Sequence, residues 1–264
     1  LYFSLVAAIF LIESGVKLFT AVVLGSLGLN AWVFLAIPVS VIISAISAYA
    51  LVSYRIMPVS NSIAPEPFPG KFFVGSVFTG LATVLFLNID IILVKHFLSP
   101  AQAGEYVFLA LVGKMIYFFG SMPNMFTVTL VSRNDGLGKD TDPIVRIIFA
   151  VTVVLVSVGA GLLGFFGHLL IPVLLGSNTF AILPFISMYY TALALFTISN
   201  VFVVYHLAKR EYIFPMASLM LSIAMAIGIM TFHDSITQIT NVIFLTSLAG
   251  LGLIFLMHIY QKQM

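Results

Sequence analysis

Cysteine is absent from all 264 residues, which excludes disulfides and thiolate metal sites. Charge is scarce as well. Lys and Arg number 11, Asp and Glu 9, and charged residues make up 8% of the chain, against about 25% in soluble domains. The net charge of +2 gathers into no basic stripe, so nucleic acid is not an expected partner. No HExxH, Walker loop, nucleophile elbow or glycine-rich dinucleotide turn occurs. The histidines, His96, His168, His206, His233 and His258, follow no metal-ligand spacing. No metal, no cofactor and no enzymatic activity are therefore expected. Strand-like alternation is missing too.

Apolar residues take the place of all this. They make up 61% of the chain, 25 of them Phe, and the mean hydropathy is +1.18. A spanning helix needs about 20 largely apolar residues. Eight stretches qualify: 3–26, 31–54, 72–98, 102–132, 144–171, 179–207, 211–232 and 236–260. The expected class is an all-α, multi-span integral membrane protein whose partner is membrane lipid. Three of the 11 basic residues, Lys17, Lys95 and Lys114, lie within spans. The other eight are Arg55, Lys71, Arg133, Lys139, Arg146, Lys209, Arg210 and Lys262. With eight spans every one of these falls on the same side, which the positive-inside rule makes cytoplasmic. The opposite loops, near Gly28, Pro100, Ser177 and Asp234, carry no basic residue. Leu1 lies inside an apolar run, so the chain is expected to be a piece of a longer one.

The main boundary is 55–70, where Pro58, Pro65, Pro67, Pro69 and Gly70 break helices. Two spans precede it and six follow. Within 102–132, Gly120 and Pro123 predict a kink or tilt.

Polar residues inside spans are the functional candidates, because an ionisable group at membrane depth costs roughly 2.5–3.5 kcal/mol on insertion scales. Asp90 sits about eight residues before Leu98, roughly 12 Å below the outer end of its helix. Lys95 lies some 140° around that helix from Asp90 and close enough to the interface to snorkel. Lys114 sits near mid-depth in the next span. Its reach toward Asp90 leaves two readings: a charged cavity wall, or a buried ion pair holding two helices in register. Glu13 and Lys17 stand at i and i+4 in the favourable order for an intrahelical pair. They either neutralise each other or line a path. Asn88, Asn124, Asn200 and Asn241 are placed to bond across helices or to line a route. Ser40, Ser44, Ser47 and Ala48 form one small-residue packing face, and Ser218, Ser222 and Ala226 form another. Tyr189 and Tyr190 are further candidates for substrate contact.

One stretch also carries a resemblance. Leu85–Tyr106, LFLNIDIILVKHFLSPAQAGEY, has an Asn-x-Asp helix, then Leu-Ser-Pro, small residues, Gly and Tyr. It resembles the polysaccharide biosynthesis proteins, the oligosaccharide-lipid flippases of the multidrug/oligosaccharidyl-lipid/polysaccharide exporter superfamily. The likeness is best over Phe73–Arg133. It continues more loosely to Gln261, through Gly176 in PVLLGSNTFAILPF and the turn Ala208-Lys209-Arg210. The second helix of that family has a proline near its cytoplasmic end, which TVTLVSR lacks here. The resemblance implies two MATE-like lobes of six helices. On that basis 1–54 holds the last two helices of one lobe, 55–70 is a cytoplasmic linker and 71–264 is the complete second lobe.

It also implies alternating-access movement of an undecaprenyl-diphosphate-linked glycan, such as an O-antigen or polysaccharide repeat unit, across the cytoplasmic (inner) membrane. A coupling ion, H+ or Na+, belongs to that expectation. Lys17, Lys114 and Lys95 would meet the diphosphate. Asp90 and Glu13 would tune that charge or bind the coupling ion, and Asn88 is a further candidate to line the path. A drug or organic-cation antiporter is the main alternative. It would favour unpaired carboxylates, whereas three intramembrane lysines stand against Asp90, Glu13 and the peripheral Glu105. A glycan polymerase or ligase would need a substantial outer loop, and these loops are short.

The topology is directly testable. Lys139→Cys and Lys209→Cys are expected to resist an impermeant thiol reagent in intact cells, and Asn178→Cys to react. Labelling of Lys209→Cys from outside would overturn the arrangement.

Overall fold

The computed structural model describes residues 3–55, 69–175 and 182–263. Most of the proline-rich boundary (56–68) and the loop that holds Gly176, Ser177 and Asn178 lie outside the described residues. The chain separates into two compact units, Leu1–Pro67 and Phe68–Met264.

Every described element is helical. In hydrocarbon no water satisfies backbone N–H and C=O groups, so a spanning segment must bond within itself. Eight helical segments are long and apolar enough to cross a membrane, and they match the eight expected stretches. The protein is thus an all-α, multi-span membrane protein.

The first unit contains α1 (Phe3–Ser26) and α2 (Ala36–Arg55), packed on each other. A 3₁₀ turn at Asn30–Leu35 leads into α2. Pro38 falls in the first turn of α2, where its missing N–H costs no helical bond. Gly28 takes the left-handed conformation (φ 74°) that ends α1. Ser40 and Ser44 are buried on the small-residue face of α2.

The second unit comprises α3 (Gly70–Phe97), α4 (Pro100–Ser121), α5 (Thr127–Gly136), α6 (Asp142–Leu175), α7 (Leu183–Ala208), α8 (Ile213–Thr231) and α9 (Ile236–Gln263). Ser99 and Pro100 separate α3 from α4. The Ser99 hydroxyl accepts from the Gln102 N–H, and the Gln102 side chain accepts from the Ser99 N–H, forming a capping box with proline at the first helical position. The expected kink is a short 3₁₀ segment, Met122–Phe126, between α4 and α5. It contains Pro123 and breaks one 37-residue span, Pro100–Gly136, into two helices.

Helix α7 is the centre of this unit. It packs against α3, α4, α5, α6, α8 and α9, and 17 of its 26 residues are buried. Its sequence explains the placement. The polar residues Tyr189, Tyr190, Thr197, Ser199 and Asn200 interrupt its apolar run, and all five are buried away from lipid.

Contacts at the helix ends fix an up-down succession. Thr141 and Asp142 at the start of α6 meet Tyr205 near the end of α7. The Ser132 hydroxyl of α5 donates to the Ala208 carbonyl. At the opposite end, Phe97 stacks on His233 between α8 and α9. Lys71, Arg133, Lys139, Arg146, Lys209, Arg210 and Lys262 therefore share one end.

Small residues set the close helix approaches. The Ser222 hydroxyl of α8 donates to the Ala82 carbonyl of α3 at 2.9 Å. A methyl group on Gly120 would lie 2.4 Å from the Val156 side chain of α6. Gly120→Ala is expected to destabilise the protein by ~1–3 kcal/mol through overpacking. Adding Val156→Ala should recover part of that loss. Thermal unfolding in detergent checks both, and unchanged stability in the single variant would remove Gly120 as a packing determinant.

Candidate functional site

Asp90 is 1% exposed and fully provided with donors. Its Oδ2 accepts from the Tyr106 hydroxyl of α4 at 2.8 Å and from the Tyr189 hydroxyl of α7 at 2.9 Å. Its Oδ1 accepts from the N–H of Ile91 at 2.8 Å. Both tyrosines are buried, and their rings meet edge to face with centroids 5.9 Å apart. One carboxylate thus joins α3, α4 and α7. Gly113 of α4 makes room for it: a Cβ there would lie 2.4 Å from the Tyr189 ring.

Neither expectation for Asp90 holds in this geometry. It is closed inside the bundle rather than set in a cavity wall, and no ion pair joins it to Lys114. Two phenols take the place of the lysine. They donate from within the core, so no long cationic side chain has to be desolvated.

Lys114 points elsewhere. Its Nζ donates to the Oδ1 of Asn88 at 3.1 Å. It is half-buried, Asn88 is exposed, and among the described residues no carboxylate lies within salt-bridge distance of Lys114. Asn88 precedes Leu98 by ten residues, which is roughly 15 Å of helix and half of a hydrocarbon core of about 30 Å. The neighbours on this face are apolar and exposed: Leu81, Val84 and Ile92 on α3, Leu111, Met115 and Phe118 on α4. A cation and an amide therefore stand at mid-depth on an otherwise apolar outer face.

The remaining candidates separate. Lys95 is exposed in the last turn of α3, where a cation complements the helix dipole. Glu13 and Lys17 form the expected intrahelical pair, at 3.2 Å on α1. Asn124 is buried in the 3₁₀ segment and donates to the Asn200 carbonyl at 3.3 Å. Tyr190 is buried in α7, and its hydroxyl has no hydrogen-bond partner among the described residues.

A second polar cluster lies at the basic end, and the sequence did not announce it. The buried His206 of α7 bonds through Nδ1 to the Glu211 carboxylate in the α7–α8 turn. Its Nε2 bonds to Nδ1 of His258 on α9 at 2.8 Å. The Phe214 ring stacks flat on the imidazole. Asp142, Tyr205, His206, Lys209, Glu211, His258 and Gln261 enclose a cleft of 250 Å³. Burial raises the Glu211 carboxyl above its ordinary range, and the negative field of Asp135 adds to this, while Lys209 opposes it. The only sequence signal was that His206 and His258 both lie near the inner ends of their spans. Among the described residues no group of His, Asp and Glu is arranged to hold a metal ion.

No protein-family model, curated protein or solved structure matches the chain.

The contrast between Asp90 and Lys114 gives a measurable difference. Tyr106→Phe and Tyr189→Phe each remove one bond to a buried charge, with an expected loss of about 1.5–3 kcal/mol. Asp90→Ala strands both phenols and should cost at least as much. Lys114→Gln leaves a half-buried amide beside Asn88 and should stay within about 0.5 kcal/mol of the parent. Denaturation in detergent ranks the four variants. A Lys114→Gln loss as large as that of Asp90→Ala would restore the lysine as a structural partner.

Proposed function

We propose that the chain belongs to a membrane transporter that moves an anionic, lipid-linked oligosaccharide across the bilayer. The observation that carries this reading is Lys114 beside Asn88, at mid-depth on an exposed face and with no carboxylate within salt-bridge distance among the described residues. A lysine in contact with hydrocarbon at this level is costly. An aqueous path along α3 and α4 removes that cost. A diphosphate passing there gains a point-charge partner in the ammonium, and the Asn88 amide, which already donates to the Val84 carbonyl and accepts from Lys114, keeps a second N–H and a second lone pair for a sugar hydroxyl. The prenyl tail can stay in lipid throughout, since only the charged head and the sugar need a polar route. The resemblance of Leu85–Tyr106 to the oligosaccharide-lipid flippases points the same way.

The distribution of charge supports an anionic substrate over a cationic drug. Asp90 is consumed by three donors, and Glu13 is paired with Lys17. The half-exposed intramembrane charge left on α3 and α4 at mid-depth is positive. On this reading the protein acts in the membrane that carries the glycan carrier, expected to be the cytoplasmic membrane. Any coupling ion, H+ or Na+, would act on the carboxylates rather than at Lys114.

Removing the charge tests the assignment. Lys114→Gln should abolish export of lipid-linked glycan in cells that hold normal levels of the protein. Adding Asp90→Asn should not rescue it, since a neutral amide at that position restores no cation for the diphosphate. Lys114→Arg should retain partial activity, because its planar fork replaces a point charge. Full export by Lys114→Gln at normal protein level would eliminate this role.

A further inference from the structure

We propose that the groove between α6 and α9 at the basic end of the bundle binds one anionic phospholipid, with the phosphate on Arg146 and an acyl chain along a floor of phenylalanine. The proposal rests on the lining of the groove and is independent of the transport reading.

The groove follows from the way three helices pack. Both α6 and α9 lie against α7, so α7 forms the floor and the other two form the walls. The space measures 420 Å³, within the range of about 300–1,000 Å³ usual for ligand pockets. Phe202 of α7 is buried at its base. Phe149 of α6 and Phe255 of α9 stand on either side, with ring centroids 5.3 Å and 5.8 Å from that of Phe202. Phe255 and Ile259 on the α9 wall keep exposed apolar surface.

The lining is graded along the helix axes in the sense of a phospholipid. Arg146 and Gln263 lie toward the basic end, and both are exposed. Helix α6 runs away from that end and α9 runs toward it, so Phe149, Ile259 and Phe255 lie deeper. Phe255 precedes Gln263 by eight residues, roughly 12 Å of helix, which exceeds a head-group layer of about 5–8 Å. An acyl chain seated there meets phenylalanine at hydrocarbon depth while its phosphate stays level with Arg146. The planar guanidinium matches a phosphate with two parallel N–H···O bonds. An Asp142 carboxylate oxygen lies 3.9 Å from the Arg146 guanidinium, beyond hydrogen-bond distance. With its side chain 76% exposed, Arg146 can turn its N–H groups to a ligand. The basic residues of this end outnumber its acidic ones, Asp135, Asp140, Asp142 and Glu211, which favours a head group of net negative charge over a zwitterionic one.

Lipid selectivity in reconstituted vesicles tests the site. Trp32 is the only tryptophan of the chain, so Trp32→Phe combined with Phe255→Trp places the fluorescence in the groove alone. The probes are phosphatidylglycerol and phosphatidylcholine brominated on the acyl chain, which quench tryptophan on contact, compared at equal mole fraction. Phosphatidylglycerol should quench with an apparent affinity about fivefold higher, the preference that one basic residue near the surface confers. Ile259→Trp, one turn nearer the head groups, provides a second reporter and should give the same order. Arg146→Gln, a change at an exposed position, should abolish the preference, and Arg146→Lys should keep part of it. Three results would overturn the site: equal quenching by the two lipids in the parent, a preference undiminished in Arg146→Gln, which would assign it to the general charge of this end, or no quenching by either lipid, which would mean that protein covers the groove.

Discussion

The Asp90 carboxylate, held by two phenols from different helices, is the interaction on which the six-helix arrangement turns. In lipid the apolar faces of helices have little reason to prefer each other over acyl chains, so association relies on close packing and hydrogen bonds. Asp90 supplies a bond that lipid cannot replace. Tyr106 and Tyr189 each bring their own helix to it. The register of α4 against α7 follows, because Gly113 has to lie under the Tyr189 ring. Where those rings sit, the apolar side chains around them, such as Leu109, Ile186 and Leu193, close the core.

Two opposite charges near the same depth are handled in opposite ways. Asp90 is short and sits among donors, so it can be enclosed. Lys114 is long and has a single amide partner, so it stays at an edge that something polar must face. Asp90 is enclosed among its donors, and Lys114 stays half-buried at the edge beside Asn88.

Much of the architecture was legible because membranes impose a coarse code. Span lengths, the Ser99–Pro100 break and the distortion at Gly120 and Pro123 all follow from local chemistry within one helix. The sharing of one end by the basic residues follows from counting spans. Partners across helices were not legible. Asp90 finds Tyr189 across 99 positions of sequence, and Lys114 turns from Asp90 to Asn88 because of which way α3 faces. Apolar residues ring α3 on nearly every side, so periodicity gives no facing direction. The same gap hid His206 and His258, which appear in the sequence as two unrelated residues near the ends of separate spans.

The polar groups of α7 extend this argument to motion. Tyr189 binds Asp90 toward the end away from the basic residues, Asn200 accepts from Asn124 in the middle, and His206 ties to His258 and Glu211 at the basic end. A displacement of α7 within its unit would break bonds at all three levels at once, and at the two levels inside the span no water could replace them. Such a unit resists internal rearrangement.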